Sequence, residues 1–161
     1  MHRVEQFFGH LRAGVGADEV ARAHSLLPPE ARSLFDAMPV ADRRHALDVV
    51  SRLIDARHDD PDLLAAALLH DAAKGHRMRL WHRVGGVVLA AAAPRLLARL
   101  ASPDPRSWRY PFHLYLHHTA LSADVAARAG CSSRTAAFIR GTAQGTDASL
   151  AAALSAADEA S

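Results

Sequence analysis

The sequence predicts an all-α protein. Half of its 161 residues are apolar, alanine is used heavily, and runs of β-branched residues are scarce. The apolar positions recur at three- and four-residue spacing, and Pro, Gly and Asp clusters punctuate them. The length suits one domain with a real core and is too short for two.

Each element follows from that pattern. Val4, Phe7, Phe8 and Leu11 share helical spacing over residues 3–13, and Gly14 and Gly16 break the run. A second helix starts near Asp18 and ends near Leu27, before Pro28-Pro29. A third runs from Pro28 to Met38, because proline is tolerated in a first helical turn, and Pro39 ends it. Asp42 is the expected cap of a longer helix through Arg57, with the stripe Ala46, Val49, Val50, Leu53 and Ile54. His58-Asp59-Asp60-Pro61 reads as a turn. Asp62 is then the expected cap of a helix carrying His70 and Asp71, stopped by Gly75. Further helices are expected from about Leu80 to Ala92 and from Pro94 to Leu100, then from Pro111 to Ala129, ending at Gly130. One more begins at Ser132 or Ser133 and reaches about Thr142, and the last spans about Asp147 to Ala157.

Composition narrows the function classes. The net charge is +2 with neutral histidines, and the arginines are scattered, with Arg43-Arg44 the only adjacent basic pair. That balance predicts neither a nucleic-acid partner nor a membrane surface. The longest apolar stretches, such as 84–93, are too short to span a bilayer. The first residues lack the apolar core of a signal peptide. A single cysteine, Cys131, rules out an intramolecular disulfide and a thiolate zinc site, and it fits a reducing compartment. The expectation is a cytoplasmic protein.

The chemistry concentrates in Leu68-Leu69-His70-Asp71-Ala72-Ala73-Lys74. A His-Asp doublet closes an apolar run, and the chain's one lysine, against eighteen arginines, follows it. Lys74 is i+4 from His70 and i+3 from Asp71, so the three can share one helix face. A helix C-terminus welcomes a histidine and a lysine but disfavours an aspartate unless something positive lies near it. Two further polar residues border apolar stripes: His45 beside Ala46, Val49 and Val50, and Asp158 in the series Leu150, Leu154, Asp158. Burying these imidazoles and carboxylates unpaired is costly, and a divalent cation removes that cost.

On these residues the chain resembles the HD-domain superfamily of metal-dependent phosphohydrolases. The likeness is carried by His45 in Asp-Arg-Arg-His-Ala-Leu, by Ala-Ala-Leu-Leu-His-Asp-Ala-Ala-Lys over 66–74, and by Asp158 in Ser-Ala-Ala-Asp-Glu-Ala. It covers residues 40–161, with 1–38 as a helical extension. The resemblance implies a single helical-bundle domain in which His45, His70, Asp71 and Asp158 hold a divalent ion. It makes Asp71 and Lys74 the catalytic residues. Asp71 also steers water, and Lys74 meets phosphate. His118, on the stripe Leu114, His118, Leu121, Val125, is either a core histidine bonded to a carbonyl or a residue for a second metal or the substrate. Two-metal members place another histidine where this chain has Thr142 and Ala143.

The implied activity is hydrolysis of a nucleotide or other small phosphate ester. The alternative is a non-catalytic regulatory or ligand-sensing module that keeps its metal. A di-iron oxygenase on the same fold needs more inward histidines. Mixed imidazole and carboxylate ligands suit Mn, Fe, Co, Ni, Zn or Mg. His76, Arg77, Arg79, His82 and Arg83 read mainly as surface, with Arg79 and Arg83 one turn apart as a candidate phosphate-attracting pair.

Overall fold

Prolines set where these helices begin. In the computed structural model, which describes residues 14–75, 78 and 80–161 (80–84 by backbone alone), proline opens α2 (Pro29–Asp36), α4 (Pro61–Leu69) and α6 (Pro94–Leu100). Proline lacks an N–H, and its fixed φ suits a first helical turn. The other α-helices are α1 (Ala17–Ser25), α3 (Val40–Asp55), α5 (Leu80–Ala92), α7 (Tyr110–Arg128), α8 (Ser133–Arg140) and α9 (Ala148–Glu159), with a 3₁₀ turn at Gly145–Asp147 before α9. The protein is all-α, with no strand among the described residues. The helix expected over 3–13 lies outside them.

Pro39 corrects one expected start. It occupies the N-cap position with φ −53°, so α3 begins at Val40, and Asp42 is a buried residue of its first turn rather than its cap. At α4 the cap is Asp60, not Asp62. The Asp60 carboxylate accepts the N–H groups of Asp62 and Leu63 at 3.0 and 3.1 Å. Pro61 takes the first helical position, which moves the capping role to the residue before it. Ser132 caps α8, accepting the Thr135 N–H at 2.9 Å.

α4 is the centre of the molecule. Leu63 through Leu69 are all buried, and a helix apolar all round belongs inside. It packs against α2, α3, α7, α8 and α9. Leu63, Leu68 and Leu69 are wholly buried, each gaining about 1.5–3 kcal/mol from leaving water. Alanines 65, 66 and 67 on the same helix let its neighbours approach closely. Ala23, Leu27, Ala31, Phe35 and Met38, from residues before α3, join the same core. α5 and α6 pack on each other and on α7. There Gly86 lies so near the Tyr115 ring that an added Cβ would stand 2.6 Å from Tyr115 Cδ2.

The two ends of α4 differ. At its start, Arg134 on α8 bonds Asp60 at 2.7 Å, Asp62 at 3.3 Å and Asp147 at 2.9 Å. Asp62 also accepts the hydroxyls of Ser132 at 2.6 Å and Thr135 at 2.8 Å. At its other end α4 stops at Leu69, earlier than the expected Gly75, and residues 70–75 form tight turns. Ala72 N–H bonds Leu69 O at 3.0 Å and Lys74 N–H bonds Asp71 O at 2.9 Å. Those three-residue closures tighten the chain beyond an α-helical turn.

Candidate metal centre

Three helices deliver the polar residues to one place. His45 projects from α3, His70 caps the C-terminus of α4, and Asp158 lies in the last turn of α9. The register of each follows from its buried neighbours: Ala46 and Val49 beside His45, Leu154 and Ala157 before Asp158. One ligand atom from each of His45, His70 and Asp158 lies within 4.8 Å of the other two, an arrangement that can hold a metal ion. Asp158 Oδ1 accepts from His45 Nε2 at 2.8 Å. His70 Nε2 is 3.3 Å from the same oxygen, and the two imidazole centroids are 5.3 Å apart.

Asp71 stands beside this trio. Its Oδ2 lies 3.7 Å from His70 Nε2 and accepts from Lys74 Nζ at 2.6 Å. Its other oxygen, Oδ1, is 4.0 Å from His118 Nε2. Ser122, wholly buried and four residues beyond His118 on α7, accepts the Ala73 N–H at 3.0 Å. That bond ties the turn carrying Asp71 and Lys74 to the helix carrying His118.

The histidine tautomers are set by local carbonyls. His70 Nδ1 donates to Ala67 O at 2.9 Å, and His118 Nδ1 donates to Tyr115 O at 2.9 Å. In the neutral ring, a proton on Nδ1 leaves the Nε2 lone pair free, the form that ligates metals. His70 Nε2 and Asp71 Oδ1 are buried and lack a hydrogen-bond partner. Two buried polar atoms without hydrogen-bond partners are what a cation resolves, and the nitrogen and oxygen donor set fits a divalent metal.

The electrostatics set two carboxylates against Lys74 and the imidazoles. Burial alone would raise the Asp71 pKa, but His70, Lys74 and His118 outweigh it and lower it. Burial also opposes ionisation of Asp158, yet the imidazoles of His45 and His70 hold its carboxyl well below the usual range. Burial disfavours a charged His70, while Asp158 and Asp71 together raise its pKa. His118 moves the other way. Burial first and Lys74 next lower its pKa, leaving a neutral ring.

Sequence reasoning named His45, His70, Asp71, Lys74, His118 and Asp158, and the structure places all six in this neighbourhood. It missed Ser122, whose signal was its place one turn beyond His118. His117 belongs elsewhere, paired with His113, and Asp124 bonds Arg140. The expected surface group of His76, Arg77, Arg79, His82 and Arg83 lies outside the described side chains. No helix among the described residues is long and apolar enough to cross a membrane. Neither a family model, a curated protein nor a solved structure matches the chain.

Proposed function

We propose that this chain is an HD-domain phosphohydrolase that cleaves a nucleotide or another small phosphate ester with a divalent metal. The observation that carries the reading is the pair of buried polar atoms, His70 Nε2 and Asp71 Oδ1, left without hydrogen-bond partners beside the converging His45 and Asp158.

His45, His70, Asp71 and Asp158 would hold the cation. Bound there, a divalent ion supplies a lowered water pKa and a polarised phosphoryl oxygen. The chain's own groups do the rest. Asp71 Oδ1, unpartnered and facing His118, accepts from an attacking water and orients it. Lys74, anchored on Asp71 Oδ2, presents its remaining N–H donors to a phosphoryl oxygen and stabilises developing negative charge. His118 offers a neutral Nε2 to the substrate side or to a second ion. The Ser122 to Ala73 bond keeps Asp71, Lys74 and His118 in one register.

The test is to load the purified chain separately with Mn²⁺, Fe²⁺, Co²⁺, Ni²⁺, Zn²⁺ and Mg²⁺ and assay nucleotides and simple phosphate esters. Phosphoester cleavage that a chelator abolishes and one of these ions restores is the expected result. Stoichiometric metal uptake at His45, His70 and Asp158 with no turnover across the panel would instead leave a non-catalytic metal-binding module.

A further inference from the structure

α7 carries another pair of imidazoles, which the centre above does not use. His113 and His117 are four residues apart, so they stand one above the other on the helix surface. Their ring centroids are 4.5 Å apart, tilted at 44°. The Tyr110 ring stacks on His113 with centroids 5.9 Å apart and planes within 26°. That stack restricts the rotamers of His113 and lowers the entropic cost of fixing it in a complex. His113 is half-buried and His117 is exposed, so solvent reaches the pair.

Two imidazolium rings this close would repel. Burial first, and then His117, lowers the His113 pKa, so the His113 ring favours the neutral form that metals require. The surface is also distinct from the main centre. His118 is turned about 100° around the helix from His117, with its Nε2 toward Asp71 and its Nδ1 on Tyr115 O.

We propose that His113 and His117 form a second metal site, a two-imidazole chelate on the surface of α7 for Cu²⁺, Ni²⁺ or Zn²⁺. Imidazole nitrogens suit these borderline ions. Hard ions such as Mg²⁺ and Ca²⁺ prefer oxygen ligands, which this pair does not provide. Each metal–nitrogen bond is about 2.0–2.1 Å, so two nitrogens on one ion can lie up to about 4 Å apart. Ring centroids 4.5 Å apart are close enough for one nitrogen of each to share an ion. An i, i+4 histidine pair is also the spacing by which a single helix presents two ligands to zinc. Water completes the coordination. A bound ion would brace one turn of α7, immediately before His118. The site does not depend on the phosphohydrolase reading.

Cu²⁺ is the probe, because nitrogen sites bind it most tightly among these ions. The full-length protein is titrated by calorimetry and by electron paramagnetic resonance, beside His113→Ala and His117→Ala. Wild type is expected to take up one more tightly held equivalent than either variant, with hyperfine structure from two nitrogens. Its affinity should fall about tenfold or more when one ring is removed, since the second ligand acts at high effective concentration. Comparison between proteins cancels uptake by the other histidines. Asp158→Ala, which cripples the main centre, should leave this equivalent in place. Equal stoichiometry and affinity in wild type and both variants would overturn the proposal. So would loss of the equivalent in Asp158→Ala.

Discussion

The two ends of α4 carry polar clusters of similar size and opposite character. At the N-terminal end, Asp60 and Asp62 meet Arg134, Ser132 and Thr135 in a partly exposed set whose acceptors are matched by donors. At the C-terminal end, His70 and Asp71 are more deeply buried, yet each keeps an atom without a partner. A fold selected for stability alone would do the reverse, since an unmatched polar atom costs most where water is absent. A completed cluster joins helices. An incomplete one leaves polar atoms for the cation proposed above to satisfy.

That contrast can be broken by mutation. The largest effect is expected from Asp71→Ala, which removes the buried carboxylate between His70 and Lys74. Turnover should be lost, and metal affinity should fall by more than the roughly 10–100-fold that losing a mere support of a ligand costs. Metal analysis after dialysis, together with a phosphate-release assay, checks both; wild-type values for either would remove Asp71 from the centre. Next comes Lys74→Ala, expected to lower turnover about 10²-fold while the metal stays bound. Lys74→Arg should restore only part of that rate, because a guanidinium carries its charge in a different shape. An unchanged rate in Lys74→Ala would make Lys74 a helix-end cation and nothing more.

The matched cluster should answer in stability and not in chemistry. Asp60→Ala removes the α4 cap and a partner of Arg134, at a cost of about 1–2 kcal/mol. Urea denaturation should show the lower midpoint, with metal content unchanged at native conditions. If metal content falls in step with stability, the two ends are not separable.

The smallest effect is on acid sensitivity. Burial would raise the Asp62 pKa, but Ser132, Thr135 and Arg134 outweigh it and bring it below the ordinary 3.8. A carboxylate with a lowered folded-state pKa contributes stability that is present above its unfolded value and lost as pH falls through the folded one. Stability should therefore decline below about pH 4, and Asp62→Asn should flatten that part of the curve. An Asp62→Asn protein with the wild-type slope would show that Asp62 takes no part in it.

Much of this was legible in the sequence because it is local. Proline, glycine and four-residue apolar spacing mark most helix starts and stops, and a His-Asp doublet closing an apolar run is visible without a fold. Asp158 could be read from its register behind Leu150 and Leu154. What escaped depends on partners distant in the chain. Ser122 reaches Ala73 across 49 positions and Arg134 reaches Asp60 across 74, with no periodicity to announce either bond. Even the α4 cap was misplaced by two residues, because Asp60 and Asp62 offer the same side chain and only the turn geometry chooses between them.

Position 86 has a consequence for how sequence can vary here. The Tyr115 ring fills the space that any side chain at Gly86 would need, while the backbone carbonyl of Tyr115 holds the His118 ring. A single methyl group added on α5 would therefore press on the residue of α7 whose carbonyl holds the His118 imidazole near Asp71. Relatives sharing the centre should keep glycine at this position or shrink the residue at 115 in compensation, so that two sites far apart in sequence change together or not at all.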